Sequence, residues 1–264
     1  MTINDLDFTG QIVLITGAGG GIGQTLVQTF GMRGASIVAA DLNDEIVQHA
    51  ITAAQEVNAP YITVTGDLSD PATPLAWVDA AIRQYGHLDI LINNAGIGGP
   101  VNLIQHMDVD GWNKTLAVNL TGAMLCARAT IPVMLSQHHG VIINVASNVG
   151  KRGHPTRGAY VVSKWGMLGL TQTLALEVAH EGIRVHAVCP GPVEGERVEG
   201  FIRRQAEAQG VTADDVRAEW VDSIPVGRMV TAQEVANVVA FLASERATGM
   251  TGQSINITGG MVMH

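Results

Sequence analysis

Charge is scarce in this sequence. Of 264 residues only 15% are Asp, Glu, Lys or Arg, against 47% apolar, which excludes a chain kept disordered by low hydrophobicity and self-repulsion. Cations are scarcer still: 15 Lys and Arg stand against 24 Asp and Glu, a formal net charge of -9, so no broad basic surface exists to track nucleic-acid phosphates. The only cysteines, Cys126 and Cys189, lack CxxC or His-rich spacing; they exclude a disulfide scaffold, read as buried apolar thiols, and give no reason to expect a metal. No uninterrupted apolar run approaches the roughly 18–20 residues that span a bilayer, and the opening MTINDLDFTG is acidic where an export signal is basic and then apolar. The chain is therefore read as cytoplasmic, with neither membrane nor nucleic acid as partner. What is abundant is glycine: 31 residues, about 12% where about 7% is usual, so backbone geometry is being used.

Near-continuous apolar runs at 12–15, 36–40, 62–64, 90–92 and 141–145 read as strands buried on both faces. Amphipathic stretches at 21–33, 44–57, 70–86, 111–137, 157–181 and 231–243 read as helices between and after them. The alternation predicts an α/β fold: a single-domain, doubly wound parallel sheet with helices on both faces, spanning 1–264. The last helix is the clearest, since Thr231 and Glu234 form a capping-box pair ahead of Val235, Val238, Val239 and Leu242. The segment 194–225 is charged and irregular, and is expected to leave the sheet as a lid over the substrate.

The first strand runs straight into Thr16-Gly17-Ala18-Gly19-Gly20-Gly21-Ile22-Gly23 and then a helical pattern. Strand, glycine turn and helix N-terminus together make a pyrophosphate trap: bare backbone lets the phosphates close in, and the helix dipole meets their charge. Asp41 follows 18 residues after Gly23. It fits an acidic residue ahead of a helix N-terminus, and it also fits an acceptor for the adenosine ribose 2′-OH, which would repel a 2′-phosphate. Leu42 comes next, and no Lys or Arg interrupts the turn, so NAD is preferred over NADP.

Tyr160 and Lys164 are four apart in a helical segment and share one face. A phenol with pKa near 10 needs help to act as a base at neutral pH, and an adjacent ammonium supplies it. Ser147 sits where the strand 141–145 ends, at the carboxyl edge of the sheet where open α/β folds bind ligands. With TGAGGGIG, Asp41, Asn93-Asn94-Ala95-Gly96, Asn119, Ser147 and Tyr160-x-x-x-Lys164 in that order, the chain resembles the short-chain dehydrogenase/reductase family over nearly its whole length.

The resemblance implies roles residue by residue. Gly17, Gly21 and Gly23, with Ile22 between them, correspond to the dinucleotide turn, and Asp41 with Leu42 to the NAD-selecting position. Asp67 and Leu68 correspond to the pair that flanks adenine, and Asn94, Ala95 and Gly96 to the cleft floor. Ser147 corresponds to the residue that binds the substrate oxygen, Tyr160 to the general acid/base, and Lys164 to the group that binds the nicotinamide ribose and lowers the tyrosine pKa. Asn119 corresponds to the holder of a relay water. Pro190 and Val193 belong to the turn that contacts nicotinamide, but this chain has Gly195 where relatives commonly carry Thr, which puts that grip in doubt. The resemblance also implies a homotetramer built through 111–137, 157–181 and the final strand near 254–257.

Substrate identity lies in the variable segments. Three of the 15 basic residues and a histidine fall within 151–157, and Arg197 opens the lid. Arg152, His154, Arg157 and Arg197 suit a carboxylate, phosphate or sulfonate, and equally suit surface ion pairs. With Asn148 beside Ser147, they favour a polar alcohol or ketone such as a polyol, sugar or sugar acid. The alternatives are a carbonyl or 3-oxoacyl reductase acting on apolar ketones, and an NAD-binding regulator without turnover; the intact Asn119, Ser147, Tyr160 and Lys164 set argues against the regulator.

Overall fold

The structure is a computed structural model describing residues 6–264; residues 1–5, the start of the acidic N-terminal stretch, lie outside the described residues. Among the described residues seven strands form one sheet: β1 (Ile12–Thr16), β2 (Ser36–Asp41), β3 (Tyr61–Thr65), β4 (Ile90–Asn93), β5 (Gly140–Val145), β6 (Ile183–Pro190) and β7 (Ser254–Ile257). Their order is β3-β2-β1-β4-β5-β6-β7, and every pairing is parallel. β1 shows what makes the sheet parallel and central. All five of its residues are buried, with Val13 and Ile15 on one face and Ile12 and Leu14 on the other. Ile12 lies beside Ser36 of β2, while on the other flank Val13 pairs with Ile90 of β4, 77 residues further along the chain.

Helices cover both faces, as the doubly wound, Rossmann-like reading requires. On one side α1 (Gly21–Gly31), α2 (Asp44–Glu56) and α9 (Ala232–Ala243) bury Leu26, Val27, Phe30, Val47, Val235 and Val239 against the sheet. On the other, α3 (Ala72–Tyr85), α5 (Gly122–Gln137) and α6 (Gly158–Val178) bury Trp77, Val78, Cys126, Met134 and Val178. α9 begins with the predicted capping box: Glu234 N–H donates to Thr231 Oγ1 at 3.1 Å, and Thr231 N–H to Glu234 Oε2 at 2.8 Å. Its far end is held by Arg184 of β6, whose guanidinium donates to the carbonyls of Leu242, Ala243 and Ser244.

Two expectations change. The stretch 111–137 is not one regular α-helix: α4 (Val109–Leu116) passes through a π-helical segment, Ala117–Thr121, into α5, a widening of the turn that composition does not mark. The run Val109–Gln137 is also apolar enough by mean hydropathy, 1.4 over its best window, to cross a membrane, its apolar residues being interleaved with polar ones; half of that window is buried inside the protein. The segment 194–225, far from irregular, forms α7 (Glu196–Gln209) and α8 (Ala213–Asp222) around their own small core of Ile202, Ala206, Val216, Ile224 and Met229. A second capping box, Thr212 with Asp215, starts α8; the charges that obscured this pattern are the outer faces of both helices.

Both cysteines are buried and unpaired, and burial pushes the Cys126 thiol up to about 12, which leaves it unreactive. On β6, His186 is fully enclosed, and burial, reinforced by the charge of Arg184, pushes its pKa down to about 4. The folded protein therefore holds this imidazole neutral while the unfolded chain binds a proton below about 6.5. Stability from this group is complete above pH 6.5 and is lost as pH falls toward 4. Thermal denaturation across that window should show a smaller fall in Tm for His186→Leu than for the wild type.

Candidate functional site

The carboxyl ends of β1 and β4 diverge at the point where strand order reverses, and the glycine turn lies over that gap. Gly17 has φ +64°, and a Cβ there would lie 2.8 Å from Ala95 Cα; a Cβ on Gly23 would collide with the Gly17 carbonyl oxygen. No other residue fits either position. The N-cap of α1 is Gly20, and among the described residues no side chain caps the helix and no acid stands in its first turn, so its leading N–H groups are left for an external anion. A Cβ at Gly21 would meet nothing within 4 Å, so the approach is open. Ile22 packs back against the core. These residues fit a dinucleotide.

Asp41 ends β2 with its carboxylate fixed: Gly19 N–H donates to Oδ2 at 2.8 Å and Leu42 N–H to Oδ1 at 2.8 Å. Leu42 itself is exposed beside the turn. The Asp67 carboxylate accepts from the Ser69 N–H at 2.9 Å and the Ser69 hydroxyl at 2.7 Å, which holds its pKa below the usual range. The Leu68 side chain turns away into the core, where it fills the space left by Gly122 of α5. Below the turn, the Asn94 amide donates to Thr16 O at 3.1 Å and Gly17 O at 3.0 Å. Thr16 Oγ1 in turn accepts from the N–H groups of Asn94 and Ala95, at 3.1 and 3.0 Å.

The other end of the cleft gathers the titratable groups. Lys164, only 3% exposed, donates to Val145 O at 2.7 Å, with Nζ 5.7 Å from the Tyr160 ring centroid. Burial, and then the charge of Arg197, hold its pKa below the usual lysine value against the opposing pull of Tyr160. Ser147 stands beside the Tyr160 phenol, and its hydroxyl donates to Asn148 Oδ1 at 3.1 Å. Burial pushes the phenol up, but Lys164, Arg197, Ser147 and Arg157 together outweigh it and hold the pKa below the usual phenol value. Asn119, 1% exposed within the π-helical segment, clamps the Ile97 peptide from both sides: Oδ1 accepts from Ile97 N–H at 2.8 Å and Nδ2 donates to Ile97 O at 3.0 Å. Asn119 and Lys164 both border the bare face of Gly96, where a Cβ would lie 3.2 Å from Asn119 Oδ1 and 3.6 Å from Lys164 Nζ.

A family described as enoyl-(acyl carrier protein) reductase matches residues 17–262. The chain belongs to the short-chain dehydrogenase/reductase family of oxidoreductases. Among relatives of this family, 3-oxoacyl-(acyl-carrier-protein) reductase FabG of Escherichia coli (strain K12) is 34% identical over 258 residues, covering 98% of this chain and 100% of the relative. Cyclohexanol dehydrogenase of Acinetobacter sp. (strain SE19) is 32% identical, covering 96% and 95%. The solved structure of NAD+-bound xylitol dehydrogenase superposes with a TM-score of 0.92 at 32% identity, covering 96% of this chain and 99% of that one.

Against this short-chain dehydrogenase/reductase background the loop after β6 is informative. Pro190 closes the strand, and Val193 bridges to Val230. Gly195 then takes φ +137°, a backbone conformation that a threonine adopts only under strain, and it starts α7 without a side-chain cap. The departure from Thr is thus a change in backbone path. α7 brings Arg197 to 5.9 Å from the Tyr160 ring centroid and sets Phe201 beneath Arg157. Of the cations at 151–157, only Arg157 faces the tyrosine, at 5.1 Å. Lys151 is tied to Ser254 O and His264 O, both at 2.9 Å; the Arg152 guanidinium rests on Met261 Sδ at 3.1 Å, as does the Asn148 amide; His154 is exposed.

Sequence reasoning did not find the role of Thr16, whose only signal was a hydroxyl at the end of an apolar strand. It also missed the buried chain Asn93–Asn144–Thr171 that ties β4, β5 and α6 together, with bonds of 2.9 Å each. Thr16→Val leaves the Ala95 N–H without a partner and should cost on the order of 2 kcal/mol, measured by urea denaturation. Thr16→Ser should lose markedly less.

Proposed function

We propose that this protein is an NAD-dependent dehydrogenase that interconverts a secondary alcohol and a ketone, with Tyr160 as the general acid/base. The observation that carries the reading is the buried ammonium of Lys164, held on Val145 O with its Nζ 5.7 Å from the Tyr160 ring centroid, and Ser147 at the end of β5 beside the same phenol. The nicotinamide supplies hydride acceptance and return. In oxidation Tyr160 takes the hydroxyl proton, Ser147 orients the substrate oxygen, and Lys164 keeps its charge beside the phenolate. Asn119 fixes the Ile97 peptide, so the wall beside Gly96 keeps its shape while protons pass between Lys164 and solvent.

NAD is favoured over NADP because the Asp41 carboxylate is held beside the turn by two backbone N–H groups, and no cation stands at positions 17–23 or 42. Likeness to an NAD+-bound xylitol dehydrogenase supports that cofactor and a polyol, sugar or sugar-acid substrate. A second reading, reduction of apolar ketones or 3-oxoacyl groups, draws on the names of two sequence relatives. The cations around Tyr160 favour the polar substrate.

The test is the appearance of reduced nicotinamide with NAD, or NADP in parallel, across polyols, sugars, sugar acids, hydroxy acids and simple secondary alcohols. Tyr160→Phe should lose at least about 100-fold in kcat while NAD still quenches tryptophan fluorescence; a fully active variant overturns the mechanism. Asp41→Ala should lower the NAD over NADP ratio of kcat/KM at least about tenfold. Because oxidation needs the phenolate, its kcat/KM should rise with pH through an apparent pKa below 10, and Arg197→Gln should move that pKa upward.

A further inference from the structure

Arg157 is a cation out of place. Its guanidinium lies between two aromatic rings, 4.4 Å from the Phe201 centroid and 5.1 Å from that of Tyr160. One Nη donates to Gly98 O at 3.3 Å, while its Nε is buried with no partner among the described residues. Nor does any carboxylate among them pair with it; its charged neighbours are Arg197 and Arg204, both of like sign. The nearby lid acids are already taken, Glu196 by Arg203 and Glu199 by Arg217. Arg197 reaches the same tyrosine face and donates weakly to Gly96 O at 3.5 Å. A half-buried guanidinium without a carboxylate partner is costly, and ring contacts offset only part of that cost.

We infer that Arg157 and Arg197 form a clamp for a carboxylate on the substrate, so that the alcohol oxidised is a short hydroxy acid and its product the corresponding oxo acid. This rests on the dehydrogenase reading and narrows it. Two guanidiniums offer parallel N–H donors that match a carboxylate. Both guanidiniums lie close to the Tyr160 ring, 5.1 and 5.9 Å from its centroid, so the carboxylate and the reacting oxygen belong to one short molecule. Helix α7 carries Arg197 and Phe201 together, so one element sets both the second guanidinium and the ring against which the first is held.

The experiment compares 3-hydroxybutyrate with its neutral methyl ester as substrates with NAD, in the wild type, Arg157→Gln and Arg157→Lys. The wild type should prefer the acid by about 100-fold or more in kcat/KM, and Arg157→Gln should reduce that ratio by at least about tenfold, chiefly through the KM of the acid. Arg157→Lys should recover part of it. In a parallel measurement malonate should raise the Tm of the wild-type NAD complex and leave that of Arg157→Gln unmoved. Equal use of acid and ester by the wild type, or an unchanged ratio in Arg157→Gln, overturns the clamp and leaves the dehydrogenase standing. If no alcohol is oxidised by the wild type, the dehydrogenase reading fails; the malonate shift then decides by itself whether Arg157 binds carboxylates.

Discussion

The site depends on an ammonium buried without a carboxylate. Lys164 is almost fully enclosed, and among the described residues its fixed partner is the carbonyl of Val145, the last residue of β5. A charge in that position survives only if the surroundings supply dipoles and a group able to become negative. The strand end provides the dipole and Tyr160 the ionisable group. Each of the two therefore needs the other: the lysine favours the phenolate, and the phenolate offsets the desolvation of the lysine. The bare face of Gly96 and the clamped peptide of Ile97 follow from the same need, since they keep space beside the ammonium.

The electrostatics of the whole chain and of the cleft have opposite signs. A protein of net charge -9 places Lys164, Arg157 and Arg197 around one tyrosine, with the neighbouring lid acids paired elsewhere. The positive potential around the tyrosine is local, because charges set among low-dielectric walls are screened less than those on the acidic exterior. Selectivity for charge is thereby local, set by a handful of side chains.

How far this was legible in the sequence depends on the range of the signal. β1 could be read from five residues because a strand buried on both faces has no polar alternation. The start of α9 could be read because Thr231 and Glu234 speak to each other across three residues. The turn at Gly17–Gly23 and the Tyr160–Lys164 pair were legible for the same reason: one loop and one helical turn carry the whole pattern. The π-helical turn at Asn119 left no trace, since an extra residue in a turn changes geometry and not composition. α7 and α8 were hidden because their apolar faces pack on each other, so few apolar residues suffice. The direction of Arg157 was beyond reach for a further reason: it is fixed by Phe201, 44 residues away on an element whose helical state was itself unread.

The sheet order also constrains how this chain is made. β1 is apolar on both faces and closes its second edge only against β4, with Val13 beside Ile90. On a ribosome adding about 5–20 residues per second, that edge waits roughly 4–15 seconds after Val13 is joined before its partner even exists. Through that interval an unpaired, hydrophobic strand is in the open, shielded only by β2 on one side and by whatever packing α1 and α2 achieve. The strand at the centre of the finished molecule is thus the part of the nascent chain most in need of protection.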